Sequence, residues 1–111
     1  MVVPSAGAVV LVLFPFSDLT QAKLRPAVCL APVGRGDWVL CQITSQPFGD
    51  PLAIPIIPLD FSVGGLSEKS VARPGKLFTA NSRLMIRVMG TLNQTAIDRI
   101  RNAVDSLFVN T

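Results

Sequence analysis

Residues 8–32, AVVLVLFPFSDLTQAKLRPAVCLAP, place two apolar runs on either side of a polar loop. Ala8–Phe14 is continuous, rich in β-branched residues and stopped by Pro15, the pattern of a buried strand. Ala27–Ala31 reads as a second buried strand. Between them the loop carries Lys23 and Arg25, and Arg25 stands directly before Pro26. A proline disfavours helical geometry in the residue ahead of it, so Arg25 is held extended where the loop enters the second strand.

Reading onward, Val33–Asp37 (VGRGD) is a glycine-rich turn, and Trp38–Thr44 (WVLCQIT) is a third strand folding back on the second. Two registers fit this hairpin. A turn centred on Gly34 and Arg35 sets Arg25 opposite Thr44; a three-residue turn centred on Arg35 sets it opposite Ser45 and makes Cys29 face Cys41. In both, directly opposed Cβ atoms lie roughly 4.5–5.5 Å apart, and a long side chain also reaches the diagonal neighbours. Arg25, Thr44, Ser45 and Gln46 therefore converge at one rim, with Lys23 in the adjoining loop. A planar guanidinium fork beside a hydroxyl and an amide suits a phosphate. On spacing alone, an arginine capping carbonyls and a threonine ending a strand fit as well.

The rest of the chain reads as short strands and one helix. SQPFGDP is a loop, and LAIPIIPL is a short strand that Pro55 and Pro58 confine to an edge or a bulge. DFSVGGLSEK reads as a loop. Ser70–Arg73, Lys76–Thr79 and Ile86–Gly90 read as three further short strands. The period then changes: Ala96, Ile97, Ile100, Ala103, Val104, Leu107 and Phe108 recur at three and four residues, with Asp98, Arg99, Arg101, Asn102 and Asp105 opposite them. This is an amphipathic helix with Asn93 as its N-cap. The sum is a mainly β (α+β) chain, one domain over residues 1–111, in a small, strongly bent barrel closed by a C-terminal helix.

Composition removes most kinds of chemistry. The 111 residues include no histidine, so a Ser-His or Cys-His nucleophile is excluded. With two cysteines and no CxxC spacing, a structural zinc site is not expected. Neither GxxxxGK nor GxGxxG occurs, which leaves no visible nucleotide cradle. No cofactor or metal is expected, and any catalysis must use Arg, Lys, Thr, Ser, Gln and a few carboxylates. Cys29 and Cys41 lie inside apolar runs and read as buried, reduced thiols, which fits a cytoplasmic protein. The longest apolar stretch, about eleven residues broken by Pro15, is far short of the ~20 needed to span a bilayer. Half the residues are hydrophobic and only 15% are charged, so a chain this small is expected to bury part of its apolar surface in a homodimer.

The net charge of +3 is unevenly spread. Lys69, Arg73, Lys76, Arg83 and Arg87 occur between residues 69 and 97, a stretch without Asp or Glu. Such a surface attracts phosphates through counterion release, although a solvated barrel rim has the same composition.

The string VLVLFPFSDLTQAKLRPAVCL, followed by VLCQITSQ and later KLFT, resembles the MazF/PemK family of type II toxin-antitoxin mRNA interferases. In that family the first strand leads to a loop ending in an Arg-Pro pair, and the third ends in a Thr followed by a small residue and often Gln. Here these are Arg25-Pro26 and Thr44-Ser45-Gln46. Two departures stand out: the usual Gly-Asp start is Gly7-Ala8, and the acidic loop residue of some members is Thr20, with Asp18 nearby.

The resemblance implies an SH3-like (CcdB/MazF-type) barrel, a homodimer, a cognate antitoxin protein, and metal-independent, sequence-specific cleavage of single-stranded mRNA but not DNA. The ribose 2′-OH attacks the adjacent phosphorus, leaving a 2′,3′-cyclic phosphate and a 5′-OH. Arg25 would stabilise the phosphorane charge and Thr44 would bind the phosphate or position the 2′-OH. Ser45 and Gln46 would complete the grip. Asp18 and Lys23 are candidates for proton transfer. Phe16 either stacks on a base or joins the core. Arg73, Lys76, Arg83 and Arg87 would track the RNA backbone or hold an acidic antitoxin peptide. The alternatives are a non-catalytic CcdB-like toxin that binds a protein such as gyrase, and an SH3-like module that binds RNA without cutting it.

Overall fold

A computed structural model describes residues 2–15, 22–47 and 49–109. Seven strands form one antiparallel sheet: β1 (Ala8–Pro15), β2 (Ala22–Gly34), β3 (Asp37–Thr44), β4 (Ile54–Ile56), β5 (Phe61–Gly64), β6 (Ser70–Asn81) and β7 (Met85–Leu92). Their order is β4-β6-β3-β2-β1-β7-β5, and the sheet curls into a half-barrel. Helix α1 (Gln94–Val109) follows β7, and short 3₁₀ turns occupy Pro58–Asp60 and Ser82–Leu84. No helix among the described residues is long and apolar enough to cross a membrane.

β1 is buried on both faces over Ala8–Val10 and at Val12, which explains the unbroken apolar run there. Val9 points to one side, where Val28, Cys41, Ile43 and Leu92 pack against Ala96, Ile97 and Ile100 of α1. Ala8, Val10 and Val12 point to the other side, where the curl brings them to Ala27, Cys29, Leu40, Ala80 and Met85. Ala8 is thus part of an apolar cluster. The helix begins where the sequence places it: the Asn93 side-chain oxygen accepts the Ala96 N–H at 2.9 Å. Arg101 on the helix donates from Nη2 to the Leu30 carbonyl at 2.8 Å.

The hairpin turn is neither of the two expected ones, although the strands beyond it adopt both expected registers in succession. Arg35 (φ 57°) and Gly36 (φ 81°) form its two-residue tip between the paired Gly34 and Asp37, with the left-handed backbone that a type I′ turn demands. Two bulges in β2, at Val33 and Leu30, then shift the pairing. Near the tip Ala31 faces Val39; farther in, Val28 faces Cys41 and Cys29 faces Leu40. Cys29 and Cys41 therefore do not face each other and belong to opposite faces of the sheet.

Three expectations are corrected. The second strand is longer than Ala27–Ala31, because its loop end pairs with β1 up to Pro15↔Ala22. The segment read as a loop, DFSVGGLSEK, contains edge strand β5, which pairs with β7. Ser70–Arg73 and Lys76–Thr79 are one strand, β6, joined through a bulge. As expected, Pro55 lies in an edge strand, β4, which among the described residues pairs with β6 alone.

Candidate active site

The β2–β3 ladder has its last pair at Ala27↔Gln42, just before Pro26, which has no N–H to offer a neighbouring strand. Continuing that register by two residues sets Arg25 opposite Thr44. Where the pairing stops, a cavity of about 370 Å³ opens, with Lys23, Arg25 and Pro26 on one lip and Ile43, Thr44 and Ser45 on the other. Leu11, Leu24, Leu66 and Met89 provide apolar surface, and Ser67, Glu68 and Ser70 arrive from the segment leading into β6.

Arg25 is half-buried and Thr44 is 8% exposed. The Thr44 hydroxyl accepts the Gln46 N–H at 3.0 Å and donates to the Gln46 carbonyl at 3.4 Å. The second contact is long for a hydroxyl donor, so the proton can turn to a ligand oxygen at little cost. Gln46 itself is exposed and joins the site through this backbone turn rather than through the cavity wall.

A second cleft, of about 310 Å³, is lined by Phe14, Arg25, Gln42, Arg73, Lys76, Leu77 and Phe78. Arg25 is common to both cavities and stands in the wall between them. Arg73 Nε donates to Asp50 Oδ2 at 2.8 Å, while Asp50 Oδ1 accepts the Leu52 N–H at 2.9 Å. The Arg73 hydrogen bond, helped by that N–H, holds the Asp50 carboxyl below its ordinary pKa.

The remaining cations are divided. Arg87 does not line the first cavity but neighbours two residues that do: it pairs with Leu11, and its Nη2 lies 3.3 Å from Met89 Sδ. Arg83 does not join the site. It follows Asn81, which pairs with Asp37 at the hairpin end of β3, roughly 23 Å from Thr44 at the rise of an extended strand. Phe16 and Asp18 lie outside the described residues. Sequence reasoning missed Glu68, the one carboxylate lining the first cavity among the described residues. No local signal marks it, because the chain between β5 and β6 brings it there. Burial pushes the Cys29 and Cys41 thiols up to about 12, so they stay protonated and unreactive. Among the described residues, no group of three or more His, Cys, Asp or Glu side chains could hold a metal ion.

A curled antiparallel half-barrel with a C-terminal helix and a cationic cavity at the β2–β3 mouth defines a small SH3-like barrel of the CcdB/MazF type. Residues 5–108 match the model of the PemK-like, MazF-like toxins of type II toxin-antitoxin systems, and the chain belongs to that family. Its fold is similar to MazF (Form-I) from Deinococcus radiodurans, with a TM-score of 0.75 and 22% identity over 97% of this chain and 98% of the other. It is also similar to MazE-MazF (Form-II) from Deinococcus radiodurans, with a TM-score of 0.77 and 21% identity over 100% of both chains. An endoribonuclease in complex with its cognate antitoxin from Mycobacterial species gives a TM-score of 0.69 at 13% identity, over 97% and 95% of the two chains. No curated protein sequence is significantly similar to it.

Proposed function

We propose that this chain is the toxin of a type II toxin-antitoxin pair and works in the cytoplasm as a metal-independent endoribonuclease on single-stranded mRNA. The observation that carries this reading is the meeting of Arg25 and Thr44 on the two lips of one open cavity. The substrate supplies its own nucleophile. The 2′-oxygen bonds to phosphorus, the bond from phosphorus to the 5′-oxygen breaks, and a 2′,3′-cyclic phosphate and a 5′-OH result.

Arg25 stabilises the extra charge on the pentacoordinate phosphorus, the task of a donor already in place before the reaction. The Thr44 hydroxyl holds a phosphate oxygen or the 2′-OH, and Ser45 completes that lip. Glu68, which lines the same cavity, takes the proton released by the 2′-OH, and Lys23 or water returns one to the leaving 5′-oxygen.

The cognate antitoxin covers the same cationic clefts with an acidic segment; a solved relative is a complex with its antitoxin. The toxin works as a homodimer. Supporting this, Leu13 and its partner Leu24, with Ile86 and Val88, leave exposed apolar surface on the adjacent strands β2, β1 and β7.

Incubating the purified protein with a long RNA in EDTA tests the reading. Cleavage is expected from the wild type and not from Arg25→Ala or Thr44→Ala. Equal activity in the variants points to a contaminating nuclease. Toxicity that persists in Arg25→Ala without RNA cleavage favours a CcdB-like toxin acting on a protein target.

A further inference from the structure

We propose that the second cleft is a binding subsite for the RNA phosphate next to the scissile one, held by Arg73 and Lys76. This rests on the reading of the first cavity as the site of RNA cleavage.

The cleft is built by an irregularity in β6. Gln42 pairs with Arg73 and Cys41 with Leu77, so Pro74, Gly75 and Lys76 are inserted between two adjacent pairs. In a regular strand, residues three apart point to opposite faces. The insertion overrides that alternation and sets Arg73 and Lys76 in the same cleft. Bulges re-aim side chains in this way at the expense of ladder hydrogen bonds.

This bulge is tied down at three points. Pro74 is wholly buried, the Cys41 thiol donates to the Arg73 carbonyl at 3.2 Å, and Asp50 clamps Arg73 Nε. Among the described residues Arg73 makes no other side-chain hydrogen bond, which leaves both terminal nitrogens for a ligand. Asp50 turns one oxygen to Arg73 and the other to the Leu52 N–H, so it orients the cation.

The ligand chemistry follows from the lining. Arg25, Arg73 and Lys76 give the cleft a cationic character, Gln42 adds an amide, and Phe14 and Phe78 meet edge to face at 4.9 Å beside them. A phosphodiester with an attached base matches that combination. Because Arg25 belongs to both cavities, a strand gripped at the scissile phosphate runs past it with its neighbouring phosphate in the second cleft.

The test measures binding separately from cleavage. A 2′-O-methyl oligonucleotide, which has no free 2′-OH to attack, is titrated by fluorescence anisotropy across a salt series. Lys76→Gln should weaken binding several-fold at low salt and reduce the log–log salt slope by about 0.7, one single-strand phosphate contact. Lys76→Arg should restore both. With a cleavable substrate, Lys76→Gln should raise KM and leave kcat. Replacing one phosphate adjacent to the cut by an uncharged methylphosphonate should mimic the variant and have no further effect in it.

Unchanged affinity and slope in Lys76→Gln overturn the subsite, as do methylphosphonate effects that add to the variant at every position. Loss of antitoxin binding without any change in RNA binding also overturns it. If the wild type cuts no RNA while the slope still falls, the cleavage reading fails and the phosphate subsite stands.

Discussion

Replacing Thr44 by valine separates what its hydroxyl does for the fold from what it does for the reaction. Valine keeps both γ positions filled, so the wall of the cavity changes little. The variant loses the 3.0 Å bond from the Gln46 N–H and the long contact to its carbonyl. A typical intramolecular hydrogen bond contributes about 0.5–1.5 kcal/mol net, and the exposure of Gln46 lets water replace this one, so about 1 kcal/mol bounds the loss. At roughly 2.1 cal/mol/K per residue, 111 residues give an unfolding entropy near 0.23 kcal/mol/K, so Tm should fall by about 4 °C. A domain stable by even about 5 kcal/mol stays folded at 25 °C after that loss. The kinetic effect should be far larger. Removing one preorganised donor to a charged transition state costs about 10²–10³ in kcat, roughly 2.7–4 kcal/mol. The assay is single-turnover cleavage of an end-labelled RNA, with thermal denaturation on the same preparation, and Thr44→Ser should recover most of the rate. A loss of only a few-fold, or a loss that tracks the unfolded fraction, would refute the assignment of the hydroxyl to the reacting phosphate.

Arg101→Met keeps the apolar stem but removes the donor to the Leu30 carbonyl at the β2 bulge; stability should drop by about 1–2 kcal/mol and Tm by roughly 4–8 °C, with kcat at 25 °C unchanged. Cys29 and Cys41 should resist thiol reagents at pH 8 in the native protein and react once it is unfolded. Their folded values near 12 exceed the unfolded 9.0, so the unfolded chain releases these protons first; the stability they contribute is intact below pH 9 and declines as pH rises toward 12. The chain has no tyrosine, so urea melts at pH 8 and 10.5 should show the decline, and Ala at both positions should reduce it. Asp50 has the opposite sign: its contribution is present above the unfolded value of 3.8 and is lost as pH falls through the lower folded value. Acid titration of wild type and Asp50→Asn should therefore converge at low pH.

The helix was legible in full because its signals are local: a 3.6-residue period and a capping side chain at Asn93. β5 was hidden because FSVG carries too little apolar pattern to mark a strand. It pairs with β7 through two glycines that allow close approach; a Cβ on Gly90 would meet the Val63 carbonyl oxygen at 2.6 Å. β6 looked like two strands because Pro74 and Gly75 are breakers, and only the pairing with β3 shows that the chain resumes its direction beyond the bulge. The convergence of Arg25 and Thr44 on one cavity was readable because Pro26 holds one end extended and both candidate hairpin registers bring Thr44 beside it. Glu68 and the shared placement of Arg73 and Lys76 depend on how distant segments close over the sheet, which no short stretch records. The even run of cations along the sequence likewise concealed that Arg83 lies at the far end of β6.

The central claim is that one phosphate of an RNA strand sits between the Arg25 guanidinium and the Thr44 hydroxyl. A crystal structure with an RNA whose cut nucleotide is 2′-deoxy, and whose scissile phosphate carries a sulfur for anomalous location, measures this directly. The account predicts that phosphate in the first cavity, with its oxygens or sulfur in hydrogen-bonding contact with both side chains. A strand bound with its scissile phosphate outside that cavity, or touching neither residue, contradicts it.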